Sequence, residues 1–189
     1  MFVKSIIRII KYWLLCVIVV SGLIGLIYGA VQQDIRQGAN DPQIQMAEDI
    51  AAKLASGKQL QSVVPSEKVD LAKSLAPYVI IFDANGNPVA SSAQLDGKIP
   101  TIPSGVFDYV RQNGEDRITW EPQTGVRSAV VVTQYKGLNS GFVLAGRSLR
   151  EVEKREDNLL QILLLGWIVM LGVTFVATAI IFGKSTGIT

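Results

Sequence analysis

The chain has 189 residues, 49% of them hydrophobic, and a mean hydropathy of +0.32, which is too apolar for an ordinary soluble domain unless the excess is localised. Eighteen basic and sixteen acidic residues give a formal charge of +2, with no clustered basic face to follow a nucleic-acid backbone. No histidine and a single cysteine, Cys16, remove the commonest general base and zinc ligand and rule out an internal disulfide.

The apolar excess is localised at the two ends. Residues 12–31 carry no charge, and about 20 helical residues match the roughly 30 Å hydrocarbon core of a bilayer. A second uncharged run, from Asn158 to Gly183, predicts a span over 159–182. Lys4, Arg8 and Lys11 precede the first span and Lys184 follows the second, whereas Gln32, Gln33 and Asp34 leave the first. Basic residues are retained on the cytoplasmic side, so residues 1–11 and 183–189 are expected inside a cell membrane and segment 32–158 outside. A cleaved secretory signal fits less well. The apolar run is long for a signal core, and Tyr28-Gly29-Ala30 puts a bulky residue where cleavage wants a small one. Leu14 and Leu15 before Cys16 likewise do not suit a lipoprotein site, and Cys16 reads as a buried thiol.

Segment 32–158 has the size of one domain. Asp41-Pro42 opens a helix over 41–56, with Ile44, Ala47, Ile50, Ala51 and Leu54 on one face and Gly57 beyond its end. A shorter helix is expected over 66–75, capped by Ser66 and stopped by Pro77. Residues 77–83 read as a buried strand, Asn85-Gly86 as a tight hairpin turn with positive φ angles, and 88–92 as the returning strand. Pro100 to Pro103 must be extended, and Ser104 then caps a helix ending at Asn113-Gly114. Strands over 117–121, 126–135 and 141–147 follow, joined by turns that make an antiparallel meander. From Ser148 the pattern is helical with no Gly or Pro break before the second span, and Glu151 and Arg155 stand at i,i+4 spacing. The expected fold class is α+β, an antiparallel sheet of about five strands with helices, flanked by two transmembrane helices.

The order of these elements resembles the extracytoplasmic Cache or PAS-like sensor domains of bacterial histidine kinases and chemoreceptors. The hairpin Tyr78-Val79-Ile80-Ile81-Phe82-Asp83-Ala84-Asn85-Gly86-Asn87-Pro88-Val89-Ala90-Ser91-Ser92 is similar to that family's hydrophobic strand, Asp-x-x-Gly turn and Ser-ended return. Gly141 to Leu149 is similar to its last strand and exit helix. Sensor kinases continue past the second span into a phosphoacceptor histidine and an ATP-binding domain. Here the sequence ends at Gly183-Lys184-Ser185-Thr186-Gly187-Ile188-Thr189 without any histidine, so the resemblance implies sensing or regulation and not kinase activity. An N-terminal fragment of a sensor kinase would read the same way.

Chemistry has little to work with. Gly183-Lys184-Ser185 resembles the end of a phosphate-binding loop, but Thr178 stands where the loop needs its first glycine. Glu48-Asp49 and Glu115-Asp116 are adjacent pairs that point to different faces and read as solvated surface. No cofactor, metal site or enzymatic activity is expected. The ligand candidates are Tyr109, Trp120, Arg127 and Tyr135, with Arg111 and Arg147 beside them, since a guanidinium between aromatics would hold a carboxylate. Alternation puts Arg127, Ala129, Val131, Thr133 and Tyr135 on one face of their strand and Ser128, Val130, Val132 and Gln134 on the other. The plainer reading is that Trp120 and Tyr109 fill the core while Arg127 pairs with Asp108 or Glu121. In the first span, Ser21, Gly25 and Gly29 have small-xxx-small spacing that allows close helix approach, within the chain or across a homodimer. Gly166, Gly172, Thr174 and Thr178 repeat it less regularly in the second. The expected function is sensing of a small-molecule ligand or state, relayed through the second span to a partner in the bilayer. The alternative is a non-catalytic platform that docks to a membrane kinase or other membrane partner.

Overall fold

The computed structural model describes residues 2–38, 40–137 and 139–183. Lys184 and Ser185, on which the inward orientation of the C-terminal end and the phosphate-loop comparison rest, lie outside them, as does Leu138. The chain divides into two units, the terminal helical segments up to Asp34 and from Lys154, and the intervening Ile35–Glu153.

Helices α1, Phe2–Gly38, and α5, Arg150–Gly183, are each long and apolar enough to cross a membrane. Within their unit they run antiparallel, and aromatic side chains join them. The Trp13 indole donates to the Leu171 carbonyl at 3.1 Å, and the Trp167 indole donates to the Ser21 hydroxyl at 3.0 Å. Tyr12 stacks on Phe182, and Trp13 meets Phe175 edge-on. Satisfying indole N–H groups internally is what an apolar solvent demands of them.

The other unit is α+β, built on a five-stranded antiparallel sheet in the order β3-β2-β7-β6-β5. The strands are β2, Tyr78–Asp83; β3, Pro88–Ser91; β5, Glu115–Gln123; β6, Val126–Lys136; and β7, Ser140–Ser148. β5, β6 and β7 form the expected meander, and β2 lies between β7 and β3. β2 is covered on both faces, which is why it reads as an unbroken apolar run. Tyr78, Ile80 and Phe82 face one side with Trp120, Val130, Val132, Phe142 and Leu144. Val79 and Ile81 face the other with Val131, Tyr135, Val143 and Ala145.

Helix α2, Asp41–Ala55, covers the second face with Ala47, Ile50, Ala51 and Leu54, residues at the three- and four-residue spacing of one helical stripe. Its end is a Schellman turn. Lys58 N–H returns to the Lys53 carbonyl and Gly57 N–H to the Leu54 carbonyl, with Gly57 at φ +86°, where a Cβ would be strained. The start differs from expectation. Asn40, not Asp41, is the capping position, and its side chain bonds back to the Arg36 carbonyl and not into the helix. Gln43 in the first turn is fully buried, with neither amide atom partnered among the described residues.

The first face is covered by α4, Ser104–Asn113, through Phe107 and Val110. Pro103 occupies the position before α4, so Ser104 is already inside the helix and makes no cap hydrogen bond, a second correction. The helix expected over 66–75 does not form. α3 is a single turn, Leu60–Val63, and β1, Val69–Asp70, pairs in parallel with β4, Ala93–Gln94. Val69 N–H reaches the Ser92 carbonyl and Leu71 N–H the Gln94 carbonyl, burying Val69 and Leu71 together. Asp70 then turns the chain by accepting Ala72 N–H, a local side-chain bond that competes with helix.

Candidate functional site

Three turns that are distant in sequence meet at the end of the sheet where β2 finishes and β7 begins. They are the α2–α3 connection, the β2–β3 turn and the β6–β7 turn, and they enclose an open cavity of about 690 Å3. Leu54, Leu60 and Val89 supply apolar lining, and Tyr135 adds its ring. Lys58, Gln59 and Gln61 come from the first turn, Asp83 and Asn85 from the second, and Asn139 and Ser140 from the third.

Close approach of the backbone shapes this end. Tyr135 on β6 is paired with Gly141 on β7. A Cβ on Gly141 would lie 2.1 Å from the Phe82 carbonyl and 2.8 Å from the Tyr135 hydroxyl, so only glycine leaves Tyr135 room to lie across β7. Tyr135 is 5% exposed, and burial first, then the Asp83 carboxylate, raises its hydroxyl above the ordinary tyrosine value. It is a neutral hydroxyl at any physiological pH.

Asp83 is held by the turn it begins. Its Oδ1 accepts Asn85 N–H at 2.9 Å and Asn87 N–H at 2.8 Å, and its Oδ2 accepts the Asn87 side-chain amide at 3.0 Å. These bonds, the Asn87 side chain foremost, hold the carboxyl below its ordinary value. In this turn only Gly86 has positive φ, at +85°, whereas Asn-Gly hairpins of the tightest kind need it at both positions. The register between β2 and β3 shifts at Ile81/Phe82 to absorb the extra residue. From the other side, Arg111 of α4 donates to the Ala84 carbonyl at 2.9 Å and lies over the Phe142 ring.

No family model matches this chain, and no curated protein matches it either.

Of the four residues marked in the sequence as ligand-binding, only Tyr135 lines the cavity. Trp120 is buried in the core on the opposite face of the sheet. Tyr109 is 51% exposed on α4. Arg127 shares a face with Tyr135 but stands eight residues away on the same strand, about 26 Å at 3.3 Å per residue. Its guanidinium pairs with Glu121 at 3.8 Å and with Glu153 of α5, while Asp108 is taken by Arg111. The four are not brought together. In the helical unit, Ser21 receives Trp167, but nothing lies within 4 Å of a Cβ placed on Gly25 or Gly29. Among the described residues no group of three metal-ligating side chains gathers.

Sequence reasoning passed over Lys58, Gln59, Gln61 and Asn139, because polar residues after a helix end or in a turn are ordinary surface until the fold collects them. The one signal was Asp83 itself, noted for its turn and not for what lies beside it.

Proposed function

We propose that this protein is a two-pass membrane sensor: both termini cytoplasmic, Ile35–Glu153 outside, and the state of that domain passed through α5 to a partner in the bilayer. The basic flank of α1 and the polar flank that leaves it support this orientation. A Cache/PAS-like assignment is supported by the strand order, with the first hairpin beside the last strand of the meander and α2 across one face.

The observation that carries the relay is the root of α5. β7 ends at Ser148 and α5 begins at Arg150, leaving Leu149 alone between them. Leu149 N–H bonds to the Arg127 carbonyl at 2.9 Å, the Arg127 guanidinium pairs with Glu153, and Arg150 donates to the Lys73 carbonyl at 2.7 Å. The first turn of the helix is thus tied to the sheet by main chain and side chain together. A change in the sheet moves the start of a helix that continues unbroken for 34 residues.

Orientation is tested with single cysteines in a Cys16→Ala background on intact cells, using a membrane-impermeant maleimide. Ser66→Cys should label and Ser5→Cys should label only after lysis. Labelling of Ser5→Cys in intact cells, with Ser66→Cys protected, would reverse the topology and remove the proposal.

A further inference from the structure

We propose that the cavity between the three turns binds a neutral saccharide or polyol, an assignment that rests on the reading of Ile35–Glu153 as an external sensor domain. The lining decides the ligand's charge. It holds one cation, Lys58, and one anion, Asp83, so it favours neither a cationic nor an anionic ligand strongly. Asp83 is also committed, with three hydrogen bonds already on its carboxylate. A carboxylate offers about four acceptor positions, which leaves one for a hydroxyl from the cavity.

The remaining polar groups are neutral and uncommitted. Gln59, Gln61, Asn85 and Asn139 bring four carboxamides, and Ser140 and Tyr135 bring two hydroxyls. Each amide carries donors and an acceptor, and each hydroxyl is both donor and acceptor. A sugar hydroxyl has the same dual character, so pairing is satisfied whichever way each group rotates. None of these six side chains has a protein hydrogen-bond partner among the described residues, so a ligand would exchange only with water at them. The raised Tyr135 hydroxyl stays protonated beside Asp83 and remains a donor. Exposed Val89 and half-buried Leu60, backed by the buried Tyr135 and Leu54, give the apolar surface on which the C–H face of a pyranose would rest. The volume, about 690 Å3, falls within the roughly 300–1,000 Å3 of small-ligand sites.

The test uses the full chain in lipid nanodiscs, with cellotriose, chitotriose and maltotriose as uncharged probes, glutamine as a zwitterion that could meet both Lys58 and Asp83, and citrate and spermidine as net-charged ones. Insoluble chitin in a pull-down separates a free sugar from a polymeric glycan as the source. Binding is read by amide hydrogen exchange. A saccharide should slow exchange at 57–61, 83–87 and 139–140, and Gln61→Ala and Asn139→Ala should each weaken it about tenfold, the loss of one hydrogen bond. Both positions are exposed, so neither change should shift the ligand-free melting temperature. Protection by glutamine, citrate or spermidine without protection by any saccharide would overturn the saccharide assignment and leave the sensor reading in place. Saccharide protection that survives both substitutions would place the site elsewhere, and no protection by any saccharide would end the proposal. Saccharide protection with an unchanged root of α5 would instead retain the binding site and remove the relay.

Discussion

At the scale of single residues, Asp83 shows how one side chain serves both turn and cavity. Its carboxylate closes the β2–β3 turn with three hydrogen bonds, and those bonds keep it ionised below the ordinary carboxylate value of 3.8. A group whose folded-state pKa is depressed stabilises the fold above its unfolded value and loses that contribution as pH falls through the folded value. The turn should therefore open in acid, below about pH 4, with faster amide exchange at Asn85 and Asn87. Asp83→Asn should remove most of this pH dependence, and an acid-induced opening of equal size in the variant would show that another group is responsible. Tyr135 has the opposite sign. Its raised pKa favours the neutral folded form, and that contribution is lost only as pH rises above the ordinary tyrosine range near 10. The Asp83–Tyr135 end of the sheet is thus electrostatically settled across the whole physiological range.

At the scale of elements, what was legible in the sequence was what local periodicity and turn chemistry determine. β2, β3 and the meander could be placed because apolar runs of strand length end at Asn-Gly, Thr-Gly or Asn-Ser, and α2 because Ala47, Ile50, Ala51 and Leu54 share a stripe. The segment after Ser66 misled because its structure is non-local. Val69 and Leu71 alternate, as a strand requires, but a two-residue strand exists only because β4 is there to pair with it. The cavity was illegible for the same reason, being assembled from turns near residues 58, 84 and 139. Of its lining, Tyr135 was legible as a ligand candidate, an aromatic on a well-marked strand, and Asp83 and Asn85 only as parts of a turn. Capping marks the limit of local reading, since Ser104 looks like a cap and is not one, whereas Gly57 acts as expected. Gly57→Ala should destabilise the domain by about 1 kcal/mol through its positive φ. Ser104→Ala should change stability by less than about 0.5 kcal/mol, where true caps lose about 0.5–2. Chemical denaturation of the two variants measures both, and a Ser104→Ala loss above about 1 kcal/mol would restore the capping role.

At the scale of the whole molecule the question is whether the domain moves the long apolar helix α5 or merely hangs from it, and Arg127 separates the two. The sequence offers it both as a ligand residue and as a surface partner of Asp108 or Glu121. The pairing to Glu121 is present, but the partner that matters, Glu153, lies 26 residues on in the first turn of α5. An exposed ion pair contributes only about 0–1 kcal/mol to stability, so Arg127→Ala should leave the melting temperature of the domain almost unchanged. Its effect should be local: faster amide exchange at residues 151–155, where the helix loses its side-chain tie to β6 and keeps the Leu149 main-chain bond and the Arg150 bond to the Lys73 carbonyl. Arg127→Lys should restore part of the protection, because an ammonium can meet one carboxylate but lacks the planar fork that reaches both Glu121 and Glu153. In a relay, this loosening reduces what a ligand-driven change in the sheet delivers to α5, so a saccharide should alter exchange at the root of α5 in the wild type and less so in Arg127→Ala, with binding at the cavity unchanged. A platform predicts no ligand effect at the root in either protein. Equal ligand effects at the root of both proteins would show that the main chain through Leu149 carries the coupling and that the Arg127 tie does not.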